Sequence, residues 1–414
     1  MVLEENVMNY IALVLILLTV KYLFNLVTNY LDWKSMKNPV PANVKDIFSA
    51  EEYQKWKSYH SEKVRLSILS STFDYIFTML AFAFCWYAGF AELFPKNPVW
   101  GIFAVLLCDN LIHLIEIPFT YYDKMKIEEK YGFNRSTKKT FWLDQVKSFI
   151  VDMVVLPLIG MLIMLIHKSL GDWMIPVLAI ALTCFILAVT FLYPFFSSIF
   201  NKFTELEDGE LKEKLTALLS KNGYQVRAIQ VMDASKRTTK MNAYFTGFGK
   251  MKTIVLYDTL KEALSVDEIC AVFAHEMGHG LHKDTLKGKV ITFVQMLILA
   301  SLAWFTFRTP ELFAGFGFDS INYGFAMVLI VSVEFAVIAP LFGLVANAFS
   351  RKAEYRADAQ AVKEGYADDL ISSFRIMAKS NYANLSPDPL LVKLQYSHPT
   401  ISQRINAIEK AKVK

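Results

Sequence analysis

The sequence predicts an α-helical membrane protein of seven spans with a small α+β domain at one membrane face. Three observations predict it. Of the 414 residues, 54% are hydrophobic, against about 45–50% in a soluble domain. The excess is gathered into runs of roughly 20 residues, the length that crosses a bilayer core as a helix. Basic and neutral loops alternate between those runs, as the two faces of a membrane require.

The runs fall at 8–30, 68–94, 100–122, 149–168, 174–198, 288–306 and 322–346. The first lacks a basic start and a small-residue cleavage site, so it reads as a retained span rather than a signal peptide. Loops 31–67 and 123–148 each carry seven Lys or Arg residues. The turn 95–99 has only Lys96, 169–173 has none, and 307–321 has only Arg308. The loop 199–287 and the tail after 347 are both basic. The N-terminus is therefore expected outside and the C-terminus in the cytoplasm, with both soluble segments cytoplasmic. Residues 1–203 form a five-span membrane part, and 204–414 a second part that includes spans 288–306 and 322–346.

The formal charge of +4 gives no reason to expect a nucleic-acid partner. Cys85, Cys108, Cys184 and Cys270 form no CxxC pair and read as small buried hydrophobes. Several spans contain groups that hydrocarbon does not tolerate. Asp74, Asp152 and Glu334 are isolated, whereas Asp109, His113 and Glu116 share one helix face. Ionisable groups at depth face a water-filled chamber or one another. His113 with Glu116 is also a candidate second metal site.

In the soluble parts, 204–222 reads as a helix ending at Gly223, and Gln225 to Val231 as a strand. NAYFTGFGK from Asn242 and TIVLY from Thr253 read as two further strands, so a small sheet is expected. Ser265 and Glu268 form a capping box, which starts a helix at Val266. SRKAEYRADAQAVKEG has a helical period and ends near Gly365; further helices are expected at 367–379 and from Ile401.

HEMGH, at 275–279, lies on the helix that starts at Val266. His275 and His279 are four residues apart, so their imidazoles project from one face and can share a zinc ion. Glu276 falls where a carboxylate reaches a water on that metal rather than the metal itself. A catalytic zinc needs a third protein ligand and one open position. Glu354 offers the ligand, and Asp358, one turn further on, can fix the tautomer of a ligand histidine. His282 is an alternative ligand. His398, in YSHPT, could bond a developing oxyanion. These residue types at this spacing indicate metal-assisted peptide hydrolysis.

Several separated motifs extend this reading. They are EEKYGFNRST from Glu128, FNKFTELEDGELK from Phe200, NAYFTG from Asn242, HEMGHG, NAFSRKAEYRADAQA from Asn347, and YSHPT followed by Arg404 and Ile405. In this order and between these spans, the chain resembles the type I CAAX prenyl proteases, integral-membrane zinc gluzincins. The resemblance implies one zinc ion per chain on His275, His279 and Glu354, with Glu276 as base. It implies His398 in transition-state stabilisation, Asp358 behind the ligands, and Asn242, Tyr244 and Arg404 in substrate binding. It further implies seven transmembrane helices around an intramembrane chamber, a zinc protease domain on the cytoplasmic side, a monomer, and peptide or lipidated protein substrates. The short 307–321 loop suits a bacterial inner-membrane form rather than an endoplasmic-reticulum one. In that setting a broad quality-control protease of membrane proteins is the alternative function. Seven spans and buried acids alone would also suit a receptor, transporter or scaffold with a vestigial site.

Overall fold

The computed structural model describes residues 2–246 and 253–413. Helices α1 (Val2–Ser35) and α2 (Ala50–Ala83) form an antiparallel pair, with Tyr22 stacked on Tyr75. Both outrun their apolar segments, so much of the basic loop expected between them is helix. A capping box at Ser49 and Glu52 starts α2 well before the apolar run. On α1, Leu13, Ile16, Val20, Leu23, Val27 and Tyr30 are exposed in a three- and four-residue rhythm. That stripe is a face for lipid.

After α3 (Trp86–Ala91) and α4 (Pro98–His113), a 3-10 turn at Leu114–Glu116 leads into α5 (Ile117–Tyr122). The break lies where Pro118 cannot donate to the Leu114 carbonyl. A π-helical turn, Asp123–Glu128, follows, then α6 (Lys138–Leu170) and α7 (Met174–Ser198). Six helical stretches among the described residues are long and apolar enough to cross a membrane: Asn9–Ser35, Ala50–Ala83, Pro98–Glu128, Lys138–Leu192, Leu286–Phe307 and Tyr323–Lys363. Hydropathy predicts seven. The difference lies in the fourth stretch, whose 55 residues contain α6 and most of α7, joined by a 3-10 turn at Gly171–Trp173.

A four-stranded sheet, ordered β1-β2-β4-β3, follows the fourth stretch. Its strands are β1 (Phe203–Glu205), β2 (Ala228–Met232), β3 (Ala243–Thr246) and β4 (Thr253–Tyr257). β2 and β4 are parallel, and the other pairs are antiparallel. The helix expected at 204–222 is shorter, α8 (Glu210–Lys221), because Phe203–Glu205 pair with β2. Gly209, at a φ of 149°, redirects the chain between them. The end of the NAYFTGFGK strand, 247–250, lies outside the described residues.

The remaining helices are α9 (Asp258–Ala263), α10 (Val266–Leu281), α11 (Asp284–Phe307), α12 (Pro310–Gly315), α13 (Tyr323–Leu329), α14 (Ala336–Lys363), α15 (Ala367–Ser380), α16 (Pro389–Gln395) and α17 (Ile401–Lys412). One core, around Phe82, Ile102, Phe313 and Phe325, holds the membrane helices together. A second core packs the sheet, α8, α10, α15 and α17 around Leu215, Ile254, Met277 and Leu370. Trp56, from α2, belongs to this second core and donates its indole N–H to the Tyr382 carbonyl at 3.1 Å. The membrane helices and the sheet domain are therefore tied by packing as well as by connection.

The Ser265–Glu268 capping box forms as expected: Ser265 Oγ accepts from Glu268 N, and Glu268 Oε2 accepts from Ser265 N at 2.8 Å. We expect Ser265→Ala to destabilise α10 by about 1 kcal/mol, lowering the thermal unfolding midpoint in detergent. An unchanged midpoint would show that the cap contributes nothing.

Candidate metal centre

α10 and α14 approach closely because small residues face each other. A side-chain carbon on Gly278 would lie 2.8 Å from the Ala357 Cα and 3.0 Å from the Gln360 Cβ. Two residues further on, a carbon on Gly280 would overlap the Tyr224 hydroxyl. Both glycines of HEMGHG are thus demanded by packing. The approach sets Glu354 and Asp358, one turn apart on α14, opposite His275 and His279, one turn apart on α10.

The candidate ligand atoms of His275, His279 and Glu354 all lie within 4.8 Å of one another. His275 Nε2 is 3.5 Å from Glu354 Oε2, and His279 Nε2 is 3.3 Å from Oε1. The two rings are inclined by 84°, so their Nε2 atoms reach one region from different directions. Each ring turns its other nitrogen to an aspartate. His275 Nδ1 is 2.8 Å from Asp358 Oδ1, and His279 Nδ1 is 3.4 Å from Asp284 Oδ2. A proton held on Nδ1 leaves the Nε2 lone pair for a metal. Glu354 is 3% exposed, and its Oε2 makes no hydrogen bond. A buried carboxylate whose Oε2 has the Arg404 Nη1 ion-pair contact at 3.3 Å, faced by two imidazole nitrogens, is a donor set that fits a divalent cation.

Charges around the site favour ordered ionised groups. Burial alone would lower the His279 imidazole pKa, but the Glu354 hydrogen bond and the charges of Glu276 and Glu354 raise it. Burial would raise Asp284, yet Arg356, His279 and Lys287 bring it below the usual carboxylate value; Arg356 Nη2 is 2.6 Å from Asp284 Oδ1. Asp284 was not singled out from the sequence. The signal is an acid five residues after the second histidine, just past the turn at Lys283 (φ 56°) that separates α10 from α11.

Glu276 is half-buried beside His275, and its charge bears on His279, His398, Tyr224 and Arg404. His398 reaches in from the loop before α17, with Nε2 3.3 Å from Glu354 Oε1 while the ring stays exposed. His282 is exposed at the end of α10 and outside the ligand group. Arg404, expected in substrate binding, is turned toward the candidate ligands. It is 7% exposed, and its Nη2 and Nε bond both oxygens of Asp358 at 2.6 and 3.0 Å. Its Nη1 lies 3.3 Å from Glu354, and the guanidinium stacks 4.0 Å from the Phe374 ring centroid. Burial opposes its charge, but Asp358, Glu354 and Glu276 outweigh that and raise its pKa further.

Asn242 and Tyr244 lie at and in β3, an edge strand of the sheet. Asn242 Oδ1 accepts from Ala243 N at 2.9 Å, its carbonyl accepts from Tyr257 N, and Tyr244 meets Tyr257 edge to face. Lys240, two residues before Asn242, is anchored by Glu128 at 3.1 Å, which also binds Lys63 and Tyr59. The EEKYGFN segment thus holds the approach to β3. A second polar group lies among the membrane helices. His113 Nδ1 is 3.5 Å from Asp74 and 3.6 Å from Glu116, and Nε2 is 3.8 Å from Asp109. Three acids therefore surround one imidazole, with Asp74 contributed by α2.

Two family models match the chain. One, described as CAAX prenyl protease N-terminal, five membrane helices, matches residues 29–202, and the other, peptidase family M48, matches 205–412. The chain is 32% identical over 425 residues to a CAAX prenyl protease 1 homolog of Dictyostelium discoideum, covering 97% of each. This chain belongs to the CAAX prenyl protease 1 family of M48 peptidases. CAAX prenyl protease 1 of Saccharomyces cerevisiae is 30% identical, over 91% of this chain and 90% of that one. The crystal structure of S. mikatae Ste24p superposes with a TM-score of 0.90 at 26% identity, covering 97% of this chain and 99% of that one. Membership makes the chain a multi-pass membrane metalloendopeptidase.

Two variants test the packing of the centre. Gly278→Ala pushes α14 away from α10 and should cost about 1–3 kcal/mol, with less metal retained. A wild-type midpoint and metal content would reject the close contact. Arg404→Ala leaves Asp358 and Glu354 without their cation and should cost about 3–5 kcal/mol. Arg404→Lys should recover little of it, because ammonium lacks the fork that binds both Asp358 oxygens; full recovery of the unfolding midpoint would contradict the bidentate role.

Proposed function

We propose that the chain hydrolyses peptide bonds near the C-terminus of isoprenylated CAAX-type proteins, using one zinc ion held by His275, His279 and Glu354. The observation that carries this reading is the convergence of two imidazoles and one carboxylate on a single region, with Glu276 beside it. Similarity to CAAX prenyl protease 1 proteins over nearly the whole chain supports the substrate class.

Zinc in such a donor set supplies Lewis acidity to a carbonyl and acidifies water. Glu276 takes the proton of the attacking water and returns it to the departing amine. His398 donates its N–H to the oxygen on which negative charge develops. Asp358 and Asp284 hold the Nδ1 protons of the ligand histidines, and Arg404 holds Asp358. The substrate peptide adds as a strand to β3 from Asn242 through Tyr244, so that main-chain bonds align it without reading its side chains.

In this reading the 1–203 and 204–414 parts act as one monomer. The stretch Lys138–Leu192 crosses twice, turning at Gly171–Trp173, which gives seven spans around a chamber lined by Asp74, Asp109 and His113. The N-terminus lies outside and the metal end faces the cytoplasm, in a bacterial inner membrane or an endoplasmic reticulum membrane alike. The basic loops 31–67 and 123–148 support this orientation.

The deciding experiment incubates the purified chain with farnesylated and unfarnesylated CAAX peptides and reads the products by mass spectrometry. We expect C-terminal trimming of the farnesylated peptide at least about tenfold faster, because remote binding energy lowers the barrier. Equal cleavage of both peptides would instead support broad quality control. Glu276→Gln should keep the metal and lower kcat by about 10²–10⁴; unaltered turnover would reject it as the base. A chelator should abolish activity and added zinc should restore it.

A further inference from the structure

A second, polar cavity of about 580 Å³ lies away from the metal centre, between the first turn of α6 and the last turn of α7. Its walls include Thr140, Ser198, Lys202, Lys236 and Arg237, with Asp233 as the acidic member. Its position relative to the bilayer can be read from exposure. On α6, Trp142, Val146, Ile150, Val154 and Leu158 are spaced by four residues, and all are 50–56% exposed. Such a stripe of large apolar side chains faces lipid. The tryptophan at its end marks the interfacial level, where its ring is favoured. Thr140 lies two residues beyond that tryptophan, so the cavity opens where hydrocarbon gives way to headgroups. Ile199, 37% exposed, supplies an apolar wall at the same level.

The charge of the cavity is that of an anion site. Three cationic side chains meet one lining carboxylate. Lys236 Nζ is 2.5 Å from Asp233 Oδ2, and Arg237 Nε is 3.4 Å from Asp144 Oδ2 just outside. Lys147 adds a further cation at the rim, donating to the Ile199 carbonyl at 2.9 Å and lying over the Phe200 ring. Counting both neighbours, four cations face two carboxylates. The first turn of the 33-residue α6 adds the positive end of its dipole. We propose that this cavity binds the phosphate of an acidic phospholipid headgroup, with the glycerol and acyl part running along Ile199. Basic pockets between helix ends at this level recognise such headgroups, and the volume falls within the range of ligand sites. A soluble phosphate would gain nothing from the apolar wall.

The test uses the full chain in neutral detergent, titrated with dioctanoyl phosphatidylglycerol or dioctanoyl phosphatidylcholine and read by native mass spectrometry. We expect a saturable phosphatidylglycerol adduct and markedly weaker phosphatidylcholine binding. Lys202 and Lys236 are exposed, so the K202A/K236A chain should fold; its affinity for phosphatidylglycerol should drop about fivefold per lysine removed. Lys236→Arg should retain binding, and Lys236→Gln alone serves if the double variant has a lowered unfolding midpoint. Equal binding of the two lipids, or undiminished binding by the lysine variants, would overturn the proposal. Displacement of phosphatidylglycerol by inorganic phosphate at equal concentration would also overturn it, because the site would then read a free anion.

Discussion

A glycine and an alanine, Gly278 and Ala357, set how near α10 and α14 come to each other, and the chemistry of the site depends on that distance. Helix axes usually stand about 8–10 Å apart. With Gly278 lying against Ala357, no side chain separates the backbones at this level. The helical repeat then does the rest. His275 and His279 emerge one turn apart as one pair, Glu354 and Asp358 as another, and the two pairs meet. Glu354 faces both Nε2 atoms while Asp358 secures a far nitrogen.

That arrangement concentrates charge where burial is severe. Glu354, Asp358, His275 and Arg404 are all under 9% exposed. Desolvation of any one alone would cost several kcal/mol. The network tolerates burial because each buried charge has a partner: Asp358 lies between the Arg404 guanidinium and the His275 imidazole, and Glu354 between Arg404 and the two histidine rings. Asp284, tied to Arg356, repeats the device on His279. The same logic appears at Glu128, where Lys63, Lys240 and Tyr59 enclose one carboxylate and fix the approach to β3. Charge pairing thus holds both the ligands and the candidate substrate strand.

Much of the site was legible because it is written at helical spacing. HExxH and the Glu354–Asp358 pair both place their side chains one turn apart, and the Ser265 box marks where α10 begins. What the sequence hid depends on breaks or on distant packing. Asp284 falls beyond the Lys283 turn, where helical periodicity no longer projects a face. The inward aim of Arg404 depends on how α17 packs against α14 and Phe374, which local pattern does not encode. β1 is three residues long, too short for alternation to reveal, and was absorbed into the helix expected at 204–222. The sequence separates spans 149–168 and 174–198, whereas one helical stretch runs from Lys138 to Leu192 through the three-residue 3-10 turn at Gly171–Trp173. The basic loops also looked like loops, although the capping box at Ser49 continues α2 far outside the apolar stretch.

The proposed chemistry requires one metal ion to join His275, His279 and Glu354. Anomalous diffraction at the zinc edge, on crystals of the purified chain, tests it most directly. An ion shared by the three residues gives a peak about 2.0–2.2 Å from both Nε2 atoms and a Glu354 oxygen. A peak bonded to the histidines but remote from Glu354, or one found instead beside His113 and Glu116, would contradict it.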